Sequence, residues 1–481
     1  MALEKTNSFA DLLPEQISEL TEKLAKARVA QKIIETYDQE RIDKLCQAVA
    51  WSVANTKTFL RLVDMSIKES RLGDYETRGA KRFKIRGILR DCLRQKSVGI
   101  IEEIPEKGLV KYAKPVGLIG CVVPTTNPDL TPAGNAIYGI KGRNVVIFSP
   151  HPRAKHTSAE TVRLMREALE SQGAPPDILQ CLENVNIPMT KALMAESDMV
   201  IATGGQALVH AAYSSGTPAY GVGAGNATMI IDETAIKNIK ECANNTMISK
   251  TSDFGSGCSA DGNLVVHEDV FEPLKEALID EGGYLLSSEE QAKVKKVMWD
   301  NDCNRLSDTV ALSPQDVAKV AGFSIPSDRK FLIAMSDGVG DKFENAFCRE
   351  KLTTLLTMHC YGRDIEDAIK MHRAIVEVGG IGHSCGVYSF NDENIHKIAM
   401  VVPASRMMIR QPQSKANAGA FNNGMPMTSS LGCGTWGGNS ISENVTLKHY
   451  MNTTWVSRPI PEDRPSDKEL FGQFYDPKME E

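Results

Sequence analysis

Cys258 is the residue whose type and surroundings most clearly allow chemistry. It follows Gly255, Ser256 and Gly257 and precedes Ser259, so its neighbours in the chain are small. A thiol in such a turn is accessible, and a reactive thiol needs both accessibility and a favourable electrostatic field. The residues themselves leave two interpretations open, a nucleophilic cysteine or a loop cysteine without a catalytic role.

A polar segment, Thr125-Thr126-Asn127-Pro128, follows the buried-strand pattern of Val116–Val123. In open α/β sheets, ligands bind beyond the carboxyl ends of the strands. An asparagine amide at that position can donate a hydrogen bond to an oxyanion that develops during a reaction. An Asn-Pro turn without any role in binding is the alternative.

Two glycine-rich segments could approach a phosphate or a cofactor. Gly204 and Gly205 follow a predicted strand and open a predicted helix, and such a junction offers free N–H groups to a phosphate. Residues 221–226 (GVGAGN) precede the strand Met229–Ile231, but they lack the preceding strand and the following helix of the Rossmann fingerprint. This second segment leaves open either a ligand-binding glycine loop or a tight turn.

Two later loops also carry unusual residues. His383 ends the loop 379–383 (GGIGH), where a histidine can take part in proton transfer or lie on the surface. Residues 431–439 (LGCGTWGGN) surround Trp436 with glycines. We expect this tryptophan to be buried where the backbone closely approaches a ligand or a partner.

The hydrophobic pattern indicates which elements position these residues. Residues 14–70 predict helices, and 98–113 predict a β-hairpin. After the hairpin, short apolar strands alternate with helices, a pattern typical of parallel sheets that are covered on both faces. In one of these helices, Thr157 and Glu160 predict a capping box at the N-terminus. The chain is therefore predicted to have a doubly wound α/β fold.

The composition excludes several classes of protein. The chain has 481 residues, more than one core usually holds, and a formal net charge of −6, which argues against nonspecific nucleic-acid binding. We find no apolar run that could span a bilayer and no signal-peptide pattern in the first residues. The 11 cysteines show no zinc-ligand spacing. We expect a cytoplasmic enzyme that binds no metal, no nucleic acid and no membrane.

In their order along the chain, these segments closely resemble the CoA-acylating branch of the aldehyde dehydrogenase superfamily. The resemblance is strongest to acylating sulfoacetaldehyde dehydrogenases and CoA-dependent succinate-semialdehyde dehydrogenases. The matching stretches, which span roughly residues 112–452, are AKPVGLIGCVVPTTNP, SPHPRAK, ATGG, AYSSGTPAYGVGAGN, REKL, GGIGH and LGCGTWGGNSISENVTLKHYMN.

The resemblance implies a role for each motif residue. Cys258 matches the thiol nucleophile, Asn127 the amide that binds the oxyanion, and His383 a histidine shared by acylating members. Glu350 matches the residue that binds the nicotinamide ribose, and Gly204 with Gly205 matches the pyrophosphate loop. The remaining residues implied to bind the dinucleotide are Thr125, Thr126, Ser149, His151, Arg153, Lys155, Val222, Gly223 and Leu352.

The resemblance also implies an aldehyde dehydrogenase-like α/β fold, with two doubly wound α/β domains and a small β oligomerisation flap. Residues 1–97 and 114–235 would form the cofactor-binding domain, and 236–443 the catalytic domain. Residues 98–113 and 444–481 would form the flap and a C-terminal arm. Because exposed edge strands are usually paired, we expect a homodimer or homotetramer.

One absence favours coenzyme A over water as the acyl acceptor. Hydrolytic relatives place a glutamate base in an E-L-G-G-K segment, and the corresponding residues 221–226 hold no carboxylate. A site without that base activates water poorly. The expected co-substrates are therefore CoA and NADP or NAD. NADP is favoured because the basic residues His151, Arg153 and Lys155 could receive a 2′-phosphate.

The residues around the nucleophile and a later basic loop bear on the substrate. Ser256, Gly257 and Ser259 predict a roomy, polar pocket, and Arg410, Gln411 and Lys415 fall near the substrate mouth of the family fold. Arginine suits bidentate binding of an oxyanion, although these charges could equally be solvated. We expect sulfoacetaldehyde as substrate, then succinate semialdehyde, then acetaldehyde or propionaldehyde. A non-redox acyltransferase and an inactive structural paralogue are the rival classes, and the cofactor loops argue against both.

Overall fold

Three sheets organise the protein, whose computed structural model describes residues 8–479. Two sheets are parallel and one is a small antiparallel sheet. The strands are β1 (Ile100–Ile104), β2 (Leu109–Pro115), β3 (Leu118–Val122), β4 (Val145–Ser149), β5 (Leu179–Cys181), β6 (Met199–Thr203), β7 (Ala219–Val222), β8 (Thr228–Ile231), β9 (Asn263–His267), β10 (Gly283–Leu285), β11 (Phe331–Met335), β12 (Leu355–Tyr361), β13 (Cys385–Tyr388), β14 (Met407–Ile409) and β15 (Met451–Ser457).

Helices cover both faces of the parallel sheets, as continuous apolar strands require. They are α1 (Pro14–Ile34), α2 (Gln39–Ala54), α3 (Thr56–Ser70), α4 (Tyr75–Arg78), α5 (Arg82–Leu93), α6 (Leu130–Lys141), α7 (Lys155–Ser171), α8 (Ile187–Glu196), α9 (Gln206–Tyr213), α10 (Ile239–Thr251), α11 (Glu268–Asp280), α12 (Ser288–Met298), α13 (Pro314–Val320), α14 (Ile365–Val378), α15 (Asp392–Val401), α16 (Gln413–Ala416) and α17 (Asp467–Phe471). In the described range 8–479, no helix combines the length and apolarity needed to cross a membrane.

The first parallel sheet has the strand order β5-β4-β3-β6-β7. Every residue of β3 and β4 is buried, which agrees with their continuous apolar sequence. The order reverses between β3 and β6, because β4 pairs with one side of β3 and β6 with the other. Such a reversal opens a crevice at the carboxyl ends of the strands, where doubly wound proteins bind ligands.

The second parallel sheet has the order β10-β11-β12-β9-β8-β13-β14. The sequence pattern grouped the strand Met229–Ile231 with the first sheet, whereas β8 pairs with β9 and β13 of the second. The chain therefore changes sheets between Val222 and Thr228. Hydrophobic periodicity predicts a buried strand but not its partners, so this assignment could not be made from sequence.

The predicted hairpin at 98–113 is confirmed as β1 and β2, and β15 adds a third antiparallel strand beside β2. The outer strand β15 is mostly exposed, and Trp455 is 56% accessible. The segment before β15 packs into the hydrophobic core around the first parallel sheet, where Val445, Leu447 and Tyr450 are buried. The small sheet is thus attached to the body of the first domain.

Three local predictions were wrong. The predicted capping box is absent because α7 begins at Lys155, and the carboxylate of Glu69 accepts hydrogen bonds from the backbone and hydroxyl of Thr157 instead. Trp436 is 49% exposed rather than buried. Gly221 lies within β7, so residues 221–226 do follow a strand. The first two errors share a cause, since contacts with distant residues override a local pattern.

Candidate active site

A cavity of about 880 Å³ lies where the two parallel sheets face each other. One wall consists of strand-end loops of the first sheet, including Thr125–Asn127 after β3 and Thr203–Gly205 after β6. The loop 256–259 before β9 closes the base, and Glu350 lines the cavity as well. The structure therefore brings together segments that the sequence analysis identified separately, at the predicted ends of strands.

Cys258 lies at the base of this cavity, with its side chain partly exposed. Its Sγ is 3.1 Å from Nε2 of His383, and Nδ1 of the same ring lies 2.9 Å from the hydroxyl of Ser384. The sulfur is therefore within proton-transfer distance of a ring nitrogen. The other ten cysteines of the chain carry no such contact with a histidine, and nine of them are buried.

Burial keeps His383 neutral, so a ring nitrogen with a free lone pair can face the Cys258 thiol. Burial, reinforced by the guanidinium of Arg406, lowers the pKa of His383 to about 3, so the ring is neutral near pH 7. Burial and then the carboxylate of Glu350 raise the pKa of the Cys258 thiol to about 12. The thiol consequently stays protonated until a base removes the proton, and the imidazole is the base in contact with it.

Arg406 was not identified from the sequence, although it supports this pair. Its side chain is buried, and it donates hydrogen bonds to the carbonyls of His383 (2.6 Å) and Gly432 (2.5 Å). Its positive charge opposes the rise in the pKa of Cys258. The residue lies in a segment whose other cations are surface residues, so its type alone gave no signal of a buried position.

Asn127 faces the same cavity, and its amide orientation is fixed by a cation. The ammonium of Lys81 donates to Oδ1 of Asn127 at 2.7 Å. Because an ammonium only donates, the atom facing Lys81 must be the amide oxygen. Nδ2 makes only a 3.5 Å contact with the hydroxyl of Thr126, so it is available as a donor. This is the arrangement that binding of an oxyanion requires.

A buried charge network joins the amide to the nucleophile loop. Asp253 contacts Arg78 at 3.2 Å and Lys81 at 2.5 Å, and the hydroxyl of Ser256 donates to it at 2.9 Å. Asp253 and Phe254 both have φ of 50°, in the left-handed region that costs ordinary residues about 1–3 kcal/mol. The ion pairs hold this strained turn in place five residues before Cys258.

The sequence analysis missed Arg78, Lys81 and Asp253. Their signal was present in residues 78–86 (RGAKRFKIR), a strongly basic run within an acidic chain. Such runs are usually solvated faces. Here the run includes Arg78, which is fully buried, and its partner lies 175 positions later in the chain.

The opposite side of the cavity has the features of a dinucleotide site. Helix α9 begins immediately after Gly205, and no side chain caps its first N–H groups. A Cβ at Gly205 would meet nothing within 4 Å, so there is room for a ligand against the helix N-terminus. Free N–H groups at a helix start suit a phosphate. The residues present therefore fit the pyrophosphate of a dinucleotide.

Glu350 lies at the same side, with a carboxylate that accepts a hydrogen bond from the backbone N–H of Gly225. Burial raises its pKa to about 7. The carboxylate is suited to accept hydrogen bonds from ribose hydroxyls. The other predicted dinucleotide ligands that line the cavity are Thr125, Thr126, His151, Gly204, Val222, Gly223 and Leu352.

Some predicted ligands lie away from the cavity. The hydroxyl of Ser149 pairs with Thr190 in the interior, Arg153 donates to the carbonyl of Ser70, and Lys155 contacts the carbonyl of Glu183. These side chains leave the end of β4 in other directions, and only His151 of that basic group faces the cavity.

The predicted substrate residues are divided in the same way. Ser256, Gly257, Ser259 and Lys415 line the cavity. Arg410 does not, because its guanidinium lies over the ring of Phe390, 4.2 Å from the centroid. Gln411 accepts a hydrogen bond from Asn423 and also stays outside the cavity lining. In this structure, Arg410 and Gln411 therefore do not form a binding site for the anionic group of the substrate.

Two glycines explain why the loops around Cys258 can approach so closely. A Cβ at Gly225 would lie 2.1 Å from the carbonyl oxygen of Cys258. A Cβ at Gly382 would lie 1.9 Å from the carbonyl oxygen of Cys433, and its φ is +83°. The segment 221–226 therefore packs directly against the loop that carries Cys258, and only glycine fits at position 225 without displacing that loop.

Comparison with known proteins identifies relatives along nearly the whole chain. A family model described as "Aldehyde dehydrogenase family" matches residues 18–320. A sulfoacetaldehyde dehydrogenase from Acholeplasma sp is 41% identical over 456 residues, covering 94% of this chain and 93% of that protein. An acetylating succinate-semialdehyde dehydrogenase from Clostridium kluyveri is 38% identical over 456 residues, covering 94% and 99%.

The fold has a solved counterpart. The crystal structure of an acetylating aldehyde dehydrogenase from Geobacillus thermoglucosidasius superposes with a TM-score of 0.89 and 34% identity, covering 94% of this chain and 99% of that one. The predicted α/β architecture is thereby confirmed, as is the resemblance to acylating dehydrogenases.

Proposed function

The chain belongs to the aldehyde dehydrogenase family, as an acylating oxidoreductase that uses NAD(P) and CoA, and on that premise we propose sulfoacetaldehyde as its aldehyde. The products would be sulfoacetyl-CoA and the reduced dinucleotide, and the reaction would be reversible. Succinate semialdehyde is the second candidate, because the Clostridium kluyveri relative is named for it. Both carry an anionic head group next to a small aldehyde.

The observation that carries this proposal is the contact of Cys258 with His383 beside the amide of Asn127. A thiol and a free amide donor line one cavity, and a neutral imidazole lies 3.1 Å from the sulfur. These are the parts that covalent catalysis at a carbonyl needs, namely a nucleophile, a proton acceptor and an oxyanion donor.

The first step adds the thiol to the aldehyde. A bond forms between Sγ of Cys258 and the carbonyl carbon, while the thiol proton passes to Nε2 of His383. The carbonyl π electrons move to oxygen, and Nδ2 of Asn127 with the backbone N–H of Cys258 stabilises the resulting oxyanion. The aldehyde hydrogen would then leave as hydride to a dinucleotide held by α9, Gly205 and Glu350. The oxyanion electrons would re-form the carbonyl, which leaves the acyl group on Cys258 as a thioester.

The second step transfers the acyl group to coenzyme A. The CoA sulfur forms a bond to the acyl carbon, and the bond from that carbon to Sγ of Cys258 breaks. After His383 has released its first proton to solvent, it can accept the proton of the incoming thiol and return that proton to the Cys258 thiolate, which is the leaving group. Residues 221–226 contain no carboxylate that could activate water in its place.

A panel of aldehydes tests the proposal. Reduction of NAD or NADP would be followed by absorbance with sulfoacetaldehyde, succinate semialdehyde, acetaldehyde and propionaldehyde, each with and without CoA. We expect steady-state reduction only with CoA, and the highest kcat/KM for sulfoacetaldehyde. Cys258→Ala should abolish turnover, whereas Cys360→Ala, which removes an exposed thiol, should match the wild type. Steady turnover without CoA would contradict acyl transfer to a thiol.

The choice of dinucleotide remains a proposal, with NADP ahead of NAD. In support, His151 lines the cavity, and Arg153 lies close enough to lower its pKa further after burial. A positive potential at that wall favours a 2′-phosphate. Initial rates with both dinucleotides test this, and Arg153→Ala should reduce kcat/KM for NADP more than for NAD. Equal ratios in both proteins would remove the argument.

We also propose that the protein is cytoplasmic and forms a homodimer or homotetramer, as expected from the sequence. The outer strand β15 presents Trp455 and Val456 to solvent, and Lys111 lies over the Trp455 ring at 4.2 Å. An unpaired, partly apolar edge strand favours pairing with a second copy. Light scattering of the wild type and of Val456→Lys tests this, with a smaller species expected for the variant.

A further inference from the structure

Two lysines line the cavity without a carboxylate partner. Nζ of Lys84 donates to the carbonyls of Ala418 (2.9 Å) and Gly419, and its third contact is the thioether of Met427 at 3.7 Å. Nζ of Lys415 donates to the hydroxyl of Ser252 at 2.6 Å. Across residues 8–479, neither ammonium forms a salt bridge.

The third lysine of the same wall provides the contrast. Lys81 is neutralised by Asp253 and is occupied with the amide of Asn127. Both side chains line one cavity, and burial followed by repulsion from the positive charge of Lys415 lowers the pKa of Lys84 to about 7. An anion placed between them would relieve that repulsion.

Both lysines line the same cavity as Cys258 and Asn127, between which the reacting carbonyl would be held. Ser252, the partner of Lys415, is six residues before Cys258, and burial followed by the charge of Lys81 lowers the pKa of Lys415. Lys81 in turn contacts Asn127. The substituent of a carbonyl held between Cys258 and Asn127 would therefore extend into a cavity that these cations line.

The donors needed for an anion are also present. An ammonium has three N–H donors, and Lys415 uses one of them within the protein. The thioether that Lys84 contacts is a weak acceptor, which an anionic oxygen would displace readily. Charge-assisted hydrogen bonds are roughly twice as strong as neutral ones.

We propose that Lys84 and Lys415 form the subsite that binds the anionic head group of the aldehyde and thereby select sulfonate- or carboxylate-bearing aldehydes over neutral ones. This inference rests on the proposed function, because it assigns the head group of that substrate. It replaces Arg410 and Gln411 with Lys84 as the partner of Lys415.

The test compares charged and neutral aldehydes in Lys84→Met and Lys415→Met. Loss of a hydrogen bond to a charged group should lower kcat/KM for sulfoacetaldehyde by about 10- to 100-fold in Lys84→Met. We expect kcat/KM for propionaldehyde and KM for CoA to stay within about twofold. Lys57→Met, at an exposed position of α3, is the matched control and should behave as the wild type.

A second measurement does not depend on turnover. Ethanesulfonate carries the head group without an aldehyde, and it should protect Cys258 from alkylation by iodoacetamide in the wild type. The protection should be lost in Lys84→Met. Because this readout needs neither CoA nor a dinucleotide, it supports the subsite even if the aldehyde panel yields no CoA-dependent reduction, the result that would overturn the proposed function alone.

Three outcomes would overturn the subsite. An equal loss with sulfoacetaldehyde and propionaldehyde would make Lys84 a structural clamp of the turn at Gly419. A raised KM for CoA, with unchanged selectivity between the aldehydes, would assign the cations to the phosphates of CoA. A wild type that ethanesulfonate does not protect would leave the head group without a binding site here.

Discussion

The two walls of the active-site cavity are built in different ways. The dinucleotide wall consists largely of backbone at strand ends, with Gly205 opening α9 and Gly225 donating to Glu350. The anion wall consists of two long side chains, those of Lys84 in α5 and Lys415 in α16, which lie far apart in sequence. The sequence pointed to the glycines of the first wall and to Lys415 of the second, but it did not point to Lys84.

The difference shows which kinds of site a sequence reveals. A backbone site requires glycines and a strand–loop–helix order, and both are local features of the chain. A side-chain site requires only that a few charged residues converge, and charged residues elsewhere on the surface look the same. The anion wall was therefore sought at Arg410, whose sequence neighbours Gln411 and Lys415 looked equally suitable.

Gly225→Ala gives the largest expected effect, because it tests the backbone wall at its closest contact. A Cβ there would lie 2.1 Å from the carbonyl oxygen of Cys258, so the two loops must separate. A shift of about 1 Å in a reacting group can cost about 100-fold in rate. We expect at least that loss in kcat, together with a lower Tm by differential scanning calorimetry.

Gly424→Ala is the control for that variant, because a Cβ at Gly424 would meet nothing within 4 Å. It should retain the kcat and the Tm of the wild type. Full activity of Gly225→Ala would show that the loop can relax without moving Cys258, and the contrast between a rigid backbone wall and an adaptable side-chain wall would then fail.

Asn127→Ala should have the second-largest effect. Removing one oxyanion donor costs about 10²–10³ in kcat in comparable enzymes. Lys81 would remain next to the vacated position, since it also contacts Asp253 and the carbonyl of Thr126. We expect kcat to fall by about that factor for every aldehyde, with KM for the dinucleotide nearly unchanged. If Asn127→Ala also changed the selectivity between charged and neutral aldehydes, Asn127 would have to be counted as part of the anion wall.

Glu350→Gln tests the dinucleotide wall through the pH dependence of Cys258 reactivity. As the pH rises through about 7, Glu350 ionises, and its negative charge raises the pKa of the Cys258 thiol. The amide removes that charge, so the thiol pKa should fall and alkylation by iodoacetamide above pH 7 should become faster. Well below that pH the two proteins should converge, because Glu350 is then neutral. KM for the dinucleotide should rise by about tenfold.

Glu106→Gln, at an exposed turn between β1 and β2, is the charge-matched control and should leave the alkylation profile unchanged. An alkylation profile of Glu350→Gln identical to that of the wild type would mean that the carboxylate does not influence the sulfur. Its role would then be confined to the dinucleotide.

The site residues differ in how far along the chain the contacts that position them lie. Cys258, Asn127 and Gly205 could be placed from sequence because each follows or precedes a strand of a parallel sheet, whose carboxyl ends meet at one edge. Arg78 and Asp253 could not, since their pairing spans 175 positions and is set by how α4 packs on the loop before Cys258. A sequence pattern therefore predicts where a strand ends more readily than it predicts how a helix packs.

The same reason explains the errors in the fold. The short strand β8 was correctly recognised as a strand, but its pairing with β9 and β13 depends on the second sheet as a whole. The start of α7 was misplaced because Glu69, from the end of α3, supplies the cap. Local propensity identified these elements, and tertiary contacts decided their partners and ends.

Arg410→Ala has the smallest expected effect and tests the comparison from the opposite side. The guanidinium stacks on Phe390 and does not line the cavity, so its removal should change kcat/KM for sulfoacetaldehyde by less than about twofold. A stacked, exposed cation contributes on the order of 0.5–1 kcal/mol, so a slightly lower Tm is expected.

This variant is informative because the sequence favoured it. The backbone of Arg410 has φ of 50°, and its guanidinium points toward Phe390 instead of the cavity. Should Arg410→Ala lose sulfoacetaldehyde selectivity as strongly as Lys84→Met, the side chain must turn into the cavity when substrate binds. The anion wall would then include a residue that moves on binding, and the sequence interpretation of this loop would be restored.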